Sequence, residues 1–148
     1  MTHPAQDNPQ NDCQGGCLCG AVRYRVTGPM RPVIACHCQQ CRRTTGHYMA
    51  ATAAAHAHIS IEGADNLTWF VSSPEARRGF CRVCGSNLFW QGTDRPYISI
   101  TAGTIDGATG LKLDRHIFVA AKGDYYEIAD GVPQSQEYEN YDPVPPRR

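Results

Sequence analysis

Seven of the eight cysteines in this 148-residue chain stand in three tight groups. Cys17 and Cys19 form a C-x-C pair, Cys36, Cys38 and Cys41 a C-x-C-x-x-C triplet, and Cys81 and Cys84 a C-x-x-C pair. Thiols at such spacings either hold a metal ion or pair as disulfides, and in a reducing compartment the metal reading prevails. Residues two apart on an extended chain project to the same side, so Cys17 and Cys19 can face one ion, and Gly20 lets the backbone turn close to it. The Cys81–Cys84 pair, followed by Gly85, has the form of a knuckle that wraps one edge of a zinc ion. The two pairs together supply four sulfurs, a complete tetrahedral structural site.

Three cysteines remain. A triplet that caps an ion from one side leaves a coordination position open, which is the arrangement catalytic zinc uses. The alternative is a fourth ligand from elsewhere in the chain, with His37, His47, His116 and Cys13 as candidates. His37 lies between two ligands and is expected to point away from their ion. Cys13 is read as a free thiol in a polar leader, and His47 and His116 stay open. Three thiolates on Zn²⁺ carry a net charge of minus one and make a weak Lewis acid that suits a soft fourth ligand. A substrate thiol bound there loses its proton, remains nucleophilic and can attack a small carbonyl carbon to give a hemithioacetal. Arg42 and Arg43 follow the triplet directly. They are candidates to offset its negative charge or to receive a substrate carboxylate, the alternative being ordinary surface charge. Thr44 and Thr45 are weaker candidates for positioning an oxygen.

The elements that must position these thiols are read as strands. Ala21 to Thr27 alternates Val22, Tyr24 and Val26 with Arg23 and Arg25, the two-residue period of a half-buried strand. Comparable runs begin at His58, Leu67, Asn87, Tyr97, Arg115 and Asp124, separated by turn material such as Gly28-Pro29, Ser72-Ser73-Pro74 and Asp106-Gly107. Only the alanine-rich MAATAAAHAH from Met49 admits a helical reading. The fold class is therefore mainly β. A single domain is expected over residues 14–134, between a polar leader, 1–13, expected to be flexible, and a proline-rich tail, 135–148.

Composition narrows the partners. Lys plus Arg and Asp plus Glu both total 14, giving zero formal charge and a pI near 7.0. No basic stripe points to nucleic acid, and no apolar run approaches the roughly 18 residues of a membrane span. The first residues lack the basic start and apolar stretch of a signal peptide, so a cytoplasmic protein is expected.

The ordered motifs C-x-C-G (Cys17–Gly20), C-H-C-x-x-C-R-R-x-x-G (Cys36–Gly46), G-F-C-x-x-C-G-S (Gly79–Ser86), R-H-I-F-V (Arg115–Val119) and E-I-x-D-G-x-P-Q (Glu127–Gln134) resemble those of the glutathione-dependent formaldehyde-activating enzyme family. That family includes proteins similar to centromere protein V. The resemblance implies a β-tent of small antiparallel sheets organised around two zinc ions per chain. Cys17, Cys19, Cys81 and Cys84 would hold the structural ion, and Cys36, Cys38 and Cys41 the catalytic one. The implied activity is that of a carbon-sulfur lyase of the S-(hydroxymethyl)glutathione synthase type, whose partners are a small-molecule thiol and an aldehyde. One departure stands out: where relatives often carry tryptophan before the closing E-I motif, this chain has Gly123-Asp124-Tyr125-Tyr126. If that strand borders the pocket, glutathione need not be the thiol. Trp69, Phe80 and Trp90 read as core aromatics.

Two other classes compete with this reading. A binding module would use both zinc sites structurally and recognise a protein through its surface. A zinc-bearing methionine sulfoxide reductase of class B needs a reactive cysteine late in the chain, and none follows Cys84.

Overall fold

In a computed structural model, residues 12–138 are described. Most of the leader and residues 139–148 of the tail lie outside them.

Ten strands and one short helix carry the chain: β1 (Cys13–Gly16), β2 (Arg23–Val26), β3 (Val33–Cys36), α1 (Gln39–Thr45), β4 (Met49–Ala55), β5 (Ile59–Glu62), β6 (Leu67–Ser73), β7 (Ala76–Cys81), β8 (Asn87–Gly92), β9 (Tyr97–Thr101) and β10 (Leu113–Ile117). They form a three-stranded sheet, β1-β2-β5, and a seven-stranded sheet, β10-β3-β4-β9-β8-β7-β6. The fold is mainly β, as its alternating pattern predicts. All pairings are antiparallel except β3 with β10, which run parallel with Cys36 opposite Ile117.

The main core lies where the inner face of the small sheet meets the large one. Val22, Tyr24 and Val26 alternate inward from the β2 region onto Leu88, Phe89, Ile98 and Ile100 of β8 and β9. Tyr24 meets Phe89 edge-on, with ring centroids 5.5 Å apart. Burying such side chains stabilises by about 1.5–3 kcal/mol each.

The structure decides one element that the sequence left open and corrects two others. Met49–Ala55 is a strand, because β3 and β9 flank it on both edges and its small side chains pack into the sheet. That pairing overrides the helix preference of alanine. Residues 124–130 alternate like a strand but form turns and loop. The edge of β10 is taken instead by the later segment 133–135, through His116 N–H to Pro133 and Ser135 N–H to His116. Cys13 is not part of a loose leader but opens β1, buried with its thiol 3.6 Å from Met30 Sδ.

Candidate metal centres

Both cysteine groups close in space. In the first, the thiols of Cys17, Cys19, Cys81 and Cys84 all lie within 4.8 Å of one another. The Cys17–Cys19 and Cys19–Cys81 sulfur separations are 3.6 and 3.8 Å. A tetrahedral zinc with bonds near 2.3 Å needs sulfurs about 3.8 Å apart, so the donor set fits that ion. Local backbone geometry explains the fit. Gly20 and Gly85, each next after a cysteine pair, hold φ of +81° and +79°, a left-handed turn that costs a β-carbon dearly.

Donors then converge on the sulfurs. The Val22 amide bonds Cys17 Sγ at 3.2 Å and the Val83 amide Cys81 Sγ at 3.4 Å. Ser86 links the two halves, since its hydroxyl lies 3.2 Å from Cys84 Sγ and accepts from the Leu18 amide at 2.9 Å. The Ser86 hydroxyl and amide together draw the Cys84 thiol down to about 5. Such contacts favour the thiolate and hold it in place.

In the second group, Cys36 ends β3, Cys38 caps α1 and Cys41 sits in its first turn, so a strand-to-helix transition turns three thiols to one point. The Cys38 sulfur accepts from the Cys41 amide at 3.4 Å, acting as the helix cap. Hydrogen bonds from Cys36 and Cys41 lower the Cys38 thiol to about 2, while bonding to Cys38 and Cys41 raises Cys36. The three thiols therefore ionise as one coupled group. A divalent cation allows all three to ionise.

The candidate fourth ligands are otherwise engaged. His37, buried at 1 % exposure, turns away from the thiols into a chain of three bonds. Tyr126 Oη lies 2.9 Å from His37 Nδ1, His37 Nε2 2.9 Å from His116 Nδ1, and His116 Nε2 2.8 Å from Asp130 Oδ2. The Asp130 carboxylate can only accept, so His116 donates to it through Nε2; with both rings neutral, His116 Nδ1 accepts from His37 Nε2 and His37 Nδ1 accepts the Tyr126 hydroxyl. Both rings use both nitrogens. Burial pushes His37 down to about 4, helped by the neighbouring His116. His47 Nδ1 meets the Tyr125 hydroxyl at 2.7 Å. Among the described residues, no other histidine, cysteine or acid joins the three sulfurs.

The three thiols open onto a cavity of about 510 Å³. Ile34, Met49, Ala51, Trp90 and Ile117 give it apolar walls. Phe118 closes one side from a left-handed conformation (φ 56°), its ring stacked 6.4 Å from Tyr138.

The flanking arginines of the triplet are not among the lining residues, and neither are Thr44 and Thr45, whose hydroxyls bond carbonyls of the helix and its following turn. The cavity's arginines are Arg31 and Arg78, both buried and both missed by sequence reasoning. Arg78 reaches within 3.6 Å of Cys41 Sγ. Trp90, read as core, lines the cavity, whereas Tyr125 and Tyr126 do not.

Residues 12–121 match the family described as glutathione-dependent formaldehyde-activating enzyme. The chain belongs to that family. It is 28% identical over 120 residues to an uncharacterized lyase of Schizosaccharomyces pombe, covering 79% of this chain and 85% of the relative. A putative glutathione-dependent formaldehyde-activating enzyme of Halomonas elongata is 30% identical over 130 residues, covering 78% and 80%. A crystal structure of a Rhodobacter sphaeroides protein superimposes with a TM-score of 0.54 at 28% identity, covering 64% of this chain and 89% of that one. Among the described residues, no helix of this family member is long and apolar enough to cross a membrane.

Proposed function

We propose that the protein adds a small-molecule thiol, glutathione or a similar one, to formaldehyde or another small aldehyde, the reverse of a carbon-sulfur lyase reaction. Cys36, Cys38 and Cys41 hold a catalytic zinc in this reading, and Cys17, Cys19, Cys81 and Cys84 a structural zinc. The names of the relatives, a lyase and a formaldehyde-activating enzyme, support a lyase-type role. The observation that carries the proposal is the three-thiol cluster on a cavity wall, with its neighbouring histidines committed to other partners.

In the net reaction the thiol S–H adds across the carbonyl. A carbon–sulfur bond forms, the C=O π bond breaks, and the proton passes from sulfur to oxygen. Zinc, when bound, favours loss of the thiol proton while leaving the sulfur nucleophilic. The chain supplies the remainder. Apolar walls at Ile34, Met49 and Trp90 lower the polarity around the reacting pair, and the cleft holds aldehyde and thiol together, converting an encounter into a positioned step. Arg31 and Arg78 offer N–H donors to carboxylates or to the carbonyl oxygen.

Exchange NMR between formaldehyde, glutathione and their adduct tests the reading. Faster exchange with protein than without is expected, and loss of the acceleration in Cys41→Ser. Unchanged exchange rates with a fully zinc-loaded protein would remove glutathione and formaldehyde as the substrates.

A further inference from the structure

Arg78 is 4 % exposed, on β7, which lies between β8 and the edge strand β6 of the large sheet. A guanidinium remains protonated at any physiological pH, so a buried one requires an anion or a full set of acceptors. Its partners are neutral groups and one thiol: Gln40 Oε1 and Thr44 Oγ1 at 3.5 Å, Met49 Sδ and Cys41 Sγ at 3.6 Å. Its Nε, also buried, has no partner. No ion pair joins it to a carboxylate among the described residues, although Glu75 lines the same cavity. The group in contact with it that can carry negative charge is the Cys41 thiol of the triplet.

We propose that Arg78 is the built-in counter-charge of the three-cysteine site and sets which ligand its open position accepts. The inference rests on the proposed function, because it presumes an ion at Cys36, Cys38 and Cys41. Three thiolates and a divalent cation sum to minus one, and the guanidinium brings the buried unit to zero. An anionic fourth ligand, the thiolate of a substrate, then enters a neutral site instead of a negative one. A neutral fourth ligand gains nothing from the same charge. Arg78 is therefore a positioning and specificity-determining residue: it touches Cys41 Sγ, and its charge selects soft anions over neutral donors.

Cobalt(II) in place of zinc makes this measurable, since ligand uptake at an open position changes the visible spectrum and a closed four-cysteine site does not respond. The cobalt-loaded full chain is titrated with 2-mercaptoethanol and, separately, with imidazole. In Arg78→Met the 2-mercaptoethanol affinity is expected to fall about tenfold or more, with imidazole affinity within about twofold of wild type. Arg78→Lys, which keeps the charge without the planar fork, should retain most of the thiol affinity and serves where Arg78→Met does not fold. Equal loss for both ligands in either variant would mean a merely structural role and overturn the inference, as would unchanged thiol affinity in Arg78→Met. A wild-type protein that takes up neither ligand would remove the open position itself, and with it the proposed function. A wild type that binds thiol while Arg78→Met binds it equally well sinks the role of Arg78 alone.

Discussion

The two cysteine groups gather the same atom in opposite settings. The four-cysteine group joins chain segments 62 positions apart at Cys19 and Cys81, and its buried members Cys17 and Cys81 merge with the main core beside Val22, Leu88 and Phe89. The three-cysteine group takes all its thiols from one strand-to-helix transition and packs with a small apolar satellite of Met49, Ala51 and Trp90. An ion that ties distant segments contributes its binding energy to folding, because the unfolded chain cannot assemble its ligands. An ion on six consecutive positions would add little chain constraint, and in the proposed function its cavity side is the one left for chemistry.

The largest expected effect follows from that contrast. Cys81→Ser should remove about 3 kcal/mol or more of stability or abolish soluble expression, since it opens a buried site within the core. Cys41→Ser should lose exchange activity while retaining the far-UV circular dichroism spectrum and most of the melting temperature. Equal collapse of the two variants would break the distinction and favour two structural sites.

Metal removal sharpens the same comparison. Elemental analysis should find two zinc ions per chain, and a chromophoric chelator should withdraw them in two phases. The fast phase belongs to the triplet, whose thiols face the cavity, and should be absent in Cys41→Ser. The slow phase should coincide with loss of tertiary structure. One kinetic phase for both ions would contradict the assignment.

The hydrogen-bonded chain Tyr126–His37–His116–Asp130, buried at its two histidines, gives a smaller effect. It anchors the residue between Cys36 and Cys38, so Tyr126→Phe should cost about 1 kcal/mol and speed only the fast phase of metal release. A matching change in the slow phase would show that the network supports the whole fold and not the triplet.

What was legible in the sequence follows from period and spacing. The alternation in Val22, Tyr24 and Val26 is a local pattern, and it delivered the core strand directly. The cysteine groups were legible because ligand spacing is also local, and the structure brings each group together as read. Met49–Ala55 was less so, because alanine carries no strand signal and only flanking strands decide its state. Arg78 was hidden by a β-bulge. Counting back by twos from buried Cys81 places Arg77 inside, but the register shifts between Gly79 and Phe80. Arg77 instead lies outside over the Trp69 ring, 4.1 Å from its centroid, and Arg78 turns in. Tyr125 and Tyr126 mimic a strand whose pairing edge is already taken by the segment from Pro133.

The smallest effect belongs to the residues the sequence placed nearest the chemistry. Arg42 and Arg43 adjoin Cys41 in the chain, yet on a helix adjacent residues point about 100° apart, so following a ligand does not mean facing its ion. Neither lines the cavity; Arg43 is exposed, and Arg42 lies partly covered in the last turns of α1, where a cation meets the negative end of the helix. Arg42→Ala and Arg43→Ala should each leave exchange activity within about twofold and cost no more than about 1 kcal/mol in melting experiments. The comparison that matters is with Arg78→Met, which removes the same unit of charge from a residue in contact with Cys41. If Arg42→Ala or Arg43→Ala reduced thiol affinity as strongly as Arg78→Met, field strength around the triplet would be set by sequence neighbours. The buried guanidinium would then lose its special position.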